Sequence, residues 1–185
     1  MSLVKEHSET LLQVAKQSIK HGLDKGTPLT VQPLDYPEEL HKNTATFVTL
    51  NIHNNLRGCI GTLIAYRPLV SDVAYHAHAA AFSDPRFPAL QHDELPSLDI
   101  HISLLGEPEP IAFDSEEHLI QQLRPGIDGL ILADGGHKGT FLPSVWESLT
   151  EPRDFFRQLK RKAGLSPNYW SDTIKVERYT TASIP

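Results

Sequence analysis

The sequence contains a single cysteine, Cys59, among its 185 residues. A disulfide within the chain and a zinc site built from several cysteines are therefore excluded. A lone thiol is typical of proteins in a reducing compartment. The first residues also lack the apolar core that a secretory signal requires. We therefore expect a cytoplasmic protein.

Long apolar segments and an excess of positive charge are also missing. No stretch approaches the roughly 18 consecutive apolar residues of a membrane-spanning helix, so we expect no membrane association. The 17 lysines and arginines are outnumbered by 23 aspartates and glutamates, which gives a net charge of −6. Because DNA and RNA binding requires clustered cations, this balance argues against a nucleic-acid partner. A local basic patch remains open, since one dense cationic run comprises Arg157, Lys160, Arg161 and Lys162.

The sequence templates of common cofactor sites and hydrolases do not occur. There is no phosphate-binding loop, no G-x-G-x-x-G, no H-E-x-x-H and no G-x-S-x-G, so the cofactor is left unassigned. His76 and His78 resemble a metal-binding pair. Residues two positions apart on a helix face different directions, however, and cannot share an ion. We therefore predict no metal site.

Hydrophobic periodicity predicts a mixture of helices and strands. Apolar residues recur at helical spacing in some segments and at every second position in others. The predicted helices cover 3–22, 68–82, 116–123 and 150–163, with Thr150 as the N-cap of the last, and the predicted strands cover 44–52, 59–64, 98–105, 129–133, 138–142 and 174–180. Since neighbouring strands are joined by short turns, the pattern favours an α+β fold with antiparallel sheets.

The segment 56–62, Leu-Arg-Gly-Cys-Ile-Gly-Thr, is the most unusual in the chain. Glycine within a strand indicates a bulge or the close approach of another group, and this segment has Gly58 and Gly61. In a regular strand Arg57, Cys59 and Gly61 share one face, so Gly61 would leave open space beside the thiol. A neighbouring guanidinium favours the reactive thiolate. The alternative is a structural thiol, because free cysteine often behaves as a small buried apolar residue.

A nucleophilic cysteine requires a base within hydrogen-bonding distance. Spacing does not choose among His53, His101 and His137, any of which folding could bring near Cys59. Arg86 is a candidate anion-binding residue, since a guanidinium grips carboxylates and phosphates through two hydrogen bonds. It could equally pair with nearby Asp84 and fix the local turn.

These motifs resemble the AMMECR domain family, whose bacterial and archaeal members include the AmmeMemoRadiSam system protein A. Residues 56–61 are similar to its hallmark motif Leu-Arg-Gly-Cys-Ile-Gly, and 84–88 are similar to its Asp-Pro-Arg-Phe element. Further similarity lies in the strand 98–105, in 129–132, in 140–147 and in the helix with the ending Arg-Lys-Ala-Gly-Leu. The sequence departs from the commoner family pattern at Ser83, His101, His137 and Lys138.

The resemblance implies one domain over 1–185 with an α+β fold of two unequal lobes. Each lobe is expected to hold an antiparallel sheet with flanking helices, with a cleft between the lobes. The larger lobe would comprise about 1–105 plus 168–185, and the smaller lobe about 106–167. The motif side chains would face the cleft, so the expected binding residues are Leu56, Arg57, Gly58, Cys59, Ile60, Gly61 and Arg86.

The biochemical activity of the family is not established. Its name implies a pathway shared with Memo-like and radical-SAM proteins. We therefore expect a binding module for a peptide, a protein segment or a sizeable small molecule, acting with such partners. The alternative is an enzyme that uses Cys59 as a nucleophile or covalent carrier. A redox sensor, in which Cys59 forms an intermolecular disulfide, is a third and weaker hypothesis.

Overall fold

A computed structural model describes residues 3–185. The described chain divides into two units. The first unit comprises the residues up to Leu105 together with Ala182–Pro185, and the second comprises Gly106–Thr181. Each unit has its own hydrophobic core.

The first unit contains a four-stranded sheet and two long helices. The helices are α1 (Leu3–Lys25) and α2 (Leu69–Phe82), and the strands are β1 (Thr46–Ile52), β2 (Asn55–Gly61), β3 (Leu98–Leu105) and β8 (Thr181–Ile184). Short 3-10 helices cover Pro33–Asp35, Glu38–His41 and His92–Ser97. The strand order is β2-β1-β3-β8, and β1 pairs antiparallel with β2 and β3.

The core of the first unit lies between this sheet and its helices. Val48 and Leu50 of β1 and Ile102 of β3 are fully buried in one cluster with Leu11 and Ile19 of α1 and with the apolar face of α2. Since these strand residues alternate with more exposed ones, one face of the sheet packs against the helices. The side chains of Thr49 and Cys59 belong to the opposite face.

The second unit is built on a separate four-stranded sheet. Its helices are α3 (Glu116–Gln122) and α4 (Pro152–Lys162), its strands are β4 (Glu109–Pro110), β5 (Gly129–Asp134), β6 (His137–Phe141) and β7 (Lys175–Tyr179), and a 3-10 helix covers Pro143–Glu147. The strand order is β4-β7-β5-β6. In its core Trp146 stacks on Phe155, with 3.7 Å between ring centroids, and the indole N–H donates to the Asp128 carbonyl at 2.7 Å.

The two separate antiparallel sheets with helices confirm the expected α+β fold. The boundary of the second unit differs from the expected 106–167. Residues 168–181 belong to this unit because β7 pairs with both β5 and β4. The strand expected at 174–180 is therefore β7, and β8 in the first sheet was not predicted. The hydrophobic pattern does not reveal which sheet a strand joins.

Smaller differences concern the ends of elements. Strand β2 begins at Asn55, not at 59, and the N-cap of α4 is Glu151, not Thr150, because Pro152 occupies the first helical turn. Across residues 3–185 no helix combines the length and the apolar composition needed to cross a membrane.

Candidate functional site

The segment 56–61 lies in β2, an outermost strand of the first sheet. Its pairing with β1 shifts by one residue, since Leu50 lies opposite Gly58 while Asn51 lies opposite Leu56. Arg57 is therefore the extra residue of a β-bulge. The shift brings Leu56 to the face of Thr49 and Cys59, where its side chain is exposed.

The two glycines are explained by close contacts with the backbone. A Cβ added at Gly58 would lie 2.1 Å from the carbonyl oxygen of Ala80 in α2. A Cβ at Gly61 would lie 2.3 Å from the carbonyl oxygen of Thr46 and 2.3 Å from Cγ of Phe47. The open space expected at Gly61 is thus occupied by Phe47. Both glycines allow tight packing, as the sequence pattern indicated.

Cys59 is half-buried and contacts the neighbouring strand through its side chain. Its Sγ lies 3.3 Å from Oγ1 of Thr49, the residue directly opposite on β1. The next residue across the sheet in the same row is His101 on β3. The thiol therefore lies in a polar row, although Ile60 beside it in the chain packs toward the core.

The three candidate bases have different positions. His101 lies on the thiol face, and its Nε2 is 2.8 Å from Oδ2 of Asp99. His53 lies in the β1–β2 turn with a φ of 49°. His137 lies in the second unit, where its Nδ1 is 3.1 Å from the Ala163 carbonyl oxygen. In the described chain none of the three hydrogen-bonds to the thiol.

Asp84 connects the backbone of Cys59 to Arg86. Its buried carboxylate accepts the Cys59 backbone N–H at 2.9 Å and the Arg86 backbone N–H at 3.1 Å. Arg86 also donates Nε to Oδ1 at 3.0 Å and Nη2 to Oδ2 at 2.8 Å. The same Nη2 is 3.4 Å from the Cys59 carbonyl oxygen. The two side chains thus satisfy both outward-facing backbone groups of Cys59, which a further strand would otherwise do.

These hydrogen bonds keep both groups charged. Donation from Arg86 is the main reason that the pKa of Asp84 lies far below its ordinary value, although burial acts in the opposite direction. The same hydrogen bonds raise the pKa of Arg86, and its proximity to Cys59 contributes in the same direction. The cation at the backbone of Cys59 is therefore held by a buried anion.

Arg57 is bound to a different carboxylate. Its Nε and Nη2 donate to the two carboxylate oxygens of Glu94 at 2.7 and 3.0 Å, and its side chain is only 12% exposed. This pairing lowers the pKa of Glu94. The Phe87 ring lies 5.9 Å from the Arg57 guanidinium and 5.5 Å from that of Arg86. Arg57 is therefore committed to Glu94, and Arg86 is the arginine that contacts the backbone of Cys59.

The structure thus places Leu56 and Cys59 on one face of β2, joins Arg86 to the backbone of Cys59, and turns Gly58 and Ile60 toward the core. Sequence reasoning missed two residues, Thr49 and Glu94. Thr49 is an ordinary strand residue, and Glu94 is 37 positions from Arg57, so no local pattern points to either. Asp84 was considered only as a partner of Arg86, and its hydrogen bond to Cys59 was not foreseen.

The two histidines considered as metal ligands contact other side chains of α2. Nδ1 of buried His76 is 3.0 Å from Oδ2 of Asp72, whereas His78 packs against the Phe82 ring. Burial lowers the pKa of His78. Between Leu3 and Pro185 no group of three or more histidine, cysteine, aspartate or glutamate residues is arranged to hold a metal ion.

Comparisons with known proteins show similarity along nearly the whole chain. The AMMECR1 family model matches residues 12–184. A protein of Methanothermobacter thermautotrophicus is 34% identical over 175 residues, which cover 92% of this chain and 88% of the relative. A protein of Thermococcus onnurineus is 37% identical over an alignment of 187 positions, which covers 95% of this chain and 88% of the relative. The crystal structure of the uncharacterized protein PH0010 from Pyrococcus horikoshii is similar with a TM-score of 0.87 and 34% identity, covering 96% of this chain and 90% of that chain.

Proposed function

Because the chain belongs to the AMMECR1 family, a family in which a shared activity is not established, we propose a function from the geometry of its hallmark motif. The protein is a binding module whose ligand site is the surface formed by Leu56, Cys59 and Arg86. Its ligand is a peptide, a protein segment or a sizeable small molecule. The partners suggested by the family resemblance are Memo-like and radical-SAM proteins.

One observation carries this proposal: the Arg86 side chain is exposed, and yet its guanidinium is held by a buried carboxylate. The Arg86 side chain is 55% exposed, whereas Asp84, which binds it, is 2% exposed. Orientation of an exposed charged group by a buried one is the arrangement that specific binding requires, because little side-chain entropy is lost when the ligand binds. Leu56, on the same strand as Cys59, is 42% exposed and can add an apolar contact to the ligand.

The single cysteine provides a built-in probe for this site. We would measure the rate at which iodoacetamide alkylates Cys59 in the free protein and in the presence of a purified Memo-like or radical-SAM protein. A partner that covers the site should slow alkylation several-fold. Binding that leaves the rate unchanged would place the partner elsewhere and contradict the proposed site. Failure of both proteins to bind would contradict the proposed partners.

The second unit offers a matched control for Arg86. Arg124 donates Nε and Nη2 to Oδ1 of buried Asp128 at 3.0 and 2.6 Å, and its side chain is 48% exposed. Arg86→Gln should weaken the protection of Cys59, whereas Arg124→Gln should leave it unchanged. Equal effects of the two variants would show that loss of an ion pair, and not loss of the binding site, is responsible.

The alternative function is an enzyme with Cys59 as nucleophile or covalent carrier. The observation that favours it is the polar row on the thiol face, in which Thr49 lies between Cys59 and the Asp99–His101 pair. His101 would then act as the base. A covalent adduct on Cys59, detected by intact-mass spectrometry, would favour the enzyme. Full partner binding by Cys59→Ser, with no adduct on the wild-type chain, would favour the binding module.

A cytoplasmic location and the lack of a nucleic-acid partner remain predictions. They are supported by the lone cysteine and by the net charge of −6. Fractionation of cells and a filter-binding assay with duplex DNA and single-stranded RNA would test them.

A further inference from the structure

Arg86 uses only part of its hydrogen-bonding capacity within the chain. A guanidinium has five N–H donors in one plane. Nε and Nη2 bind Asp84, and Nη2 also lies near the Cys59 carbonyl oxygen. The two N–H groups of Nη1 have no acceptor among residues 3–185. The arginine therefore retains an edge that can accept a second partner.

The Arg86 side chain is accessible to solvent, although the carboxylate that holds it is not. Asp84 is buried, whereas more than half of the Arg86 side chain is exposed. Asp84 contacts only the Nε and Nη2 atoms of this exposed side chain. Since Nη2 lies 3.4 Å from the carbonyl oxygen of Cys59, a group bound at this edge is adjacent to the residue that carries the thiol.

The charge of Arg86 is only partly compensated. The Asp84 carboxylate is shared among the guanidinium and the backbone N–H groups of Cys59 and Arg86. Within the described residues no second carboxylate lies within ion-pair distance of Arg86. Arg57 is a contrasting case, because its side chain is only 12% exposed and its unpartnered Nη1 is buried.

We propose that the Nη1 edge of Arg86 binds an anionic group of the ligand, a carboxylate or a phosphate, beside Cys59. This inference rests on the proposed binding function and specifies the chemistry of the ligand. Carboxylates and phosphates match the planar fork of a guanidinium. The anion anchors the ligand, and Leu56 contacts an apolar part of it.

Two alkylating reagents that differ in charge test this proposal. Iodoacetate and iodoacetamide both form an S–C bond with the Cys59 thiolate and release iodide, but only iodoacetate is an anion. In Arg86→Gln we expect the ratio of the iodoacetate rate to the iodoacetamide rate to fall about fivefold, the effect of one exposed ion pair of about 1 kcal/mol. A change in the exposure of the thiol affects both rates alike and therefore cancels in their ratio. It should not change in Arg124→Gln.

A second measurement uses the wild-type chain and needs no substitution. Sodium acetate or inorganic phosphate, at constant ionic strength, should slow the reaction with iodoacetate to a plateau. The stronger competitor identifies the preferred anion. Equal reagent ratios in the wild type and Arg86→Gln, together with no saturable competition, would overturn the proposal. Partner protection of Cys59 that persists in that case would show that the binding function is correct and the anion site wrong.

Discussion

The substitution Asp84→Asn should destabilise the first unit by about 2–4 kcal/mol. The carboxylate accepts the backbone N–H groups of Cys59 and Arg86 and two donors of the guanidinium. Asparagine has nearly the same size but only one acceptor oxygen. Its amide N–H₂ must face at least one of these donors, so a buried donor loses its partner.

The magnitude follows from burial. A hydrogen bond to a charged group contributes about 1.5–3 kcal/mol, and an unsatisfied buried donor costs about 1–3 kcal/mol. The Cys59 N–H donates to a carboxylate that is only 2% exposed, so the loss of this hydrogen bond lowers the stability by nearly its full value. The Arg86 side chain is 55% exposed, so water can replace the hydrogen bonds that its guanidinium loses, and their loss is largely offset. Arg86→Gln should therefore cost less than Asp84→Asn.

The difference between the wild type and Asp84→Asn should depend on pH. The pKa of Asp84 is lowered in the folded protein, mainly by Arg86. A lowered pKa contributes stability that is present above the unfolded value of about 3.9 and is lost as the pH falls toward the folded value. The stability gap should therefore be largest near neutral pH and shrink below about pH 4.

Two intrinsic probes distinguish the units in urea unfolding. Pulsed alkylation of Cys59 follows the first unit, while fluorescence follows Trp146 and Trp170, both in the second unit. Asp84→Asn should shift the alkylation midpoint, and Asp128→Asn, which removes the carboxylate paired with Arg124, should shift the fluorescence midpoint. A loss of less than about 0.5 kcal/mol in Asp84→Asn, or a gap that is independent of pH, would refute this reasoning.

Two further predictions concern packing. Gly58→Ala should destabilise the first unit by about 3 kcal/mol, because the added Cβ would lie 2.1 Å from the Ala80 carbonyl oxygen. Gly136→Ala is the control, because its Cβ would have nothing within 4 Å, and it should change the stability by less than about 0.5 kcal/mol. Urea unfolding measures both, and equal effects would show that the α2 contact is relieved at little cost. Lys160→Ala should destabilise the second unit by about 3 kcal/mol, since the fully buried ammonium donates to Glu116 at 2.6 Å and to the Tyr169 carbonyl oxygen at 3.1 Å. Lys175→Ala, at an exposed position, should change the stability of the second unit little. A similarly small loss of stability in Lys160→Ala would contradict the role assigned to the buried Lys160 ammonium.

Local patterns in the sequence were sufficient for most of the elements. The alternation in 98–105 predicted β3 with the bounds that the structure has, and the apolar spacing in 68–82 predicted α2 within one residue. These signals work because helix and strand periodicity is set by neighbouring residues. The family membership also follows from contiguous motifs. The two glycines of β2 indicated close backbone contacts before the contacting atoms were known.

The arrangement of the candidate site was decided by tertiary structure. The β-bulge at Arg57, the pairing of Arg57 with Glu94 and the Phe47 ring at Gly61 all join segments that are distant in the chain. The same is true of β7, whose pairing with β5 places 168–181 in the second unit. The sequence by itself determined the local elements, the family and the candidates Cys59 and Arg86. Only folding determined their partners, because hydrogen bonds and strand pairings between distant segments leave no periodic signal along the chain.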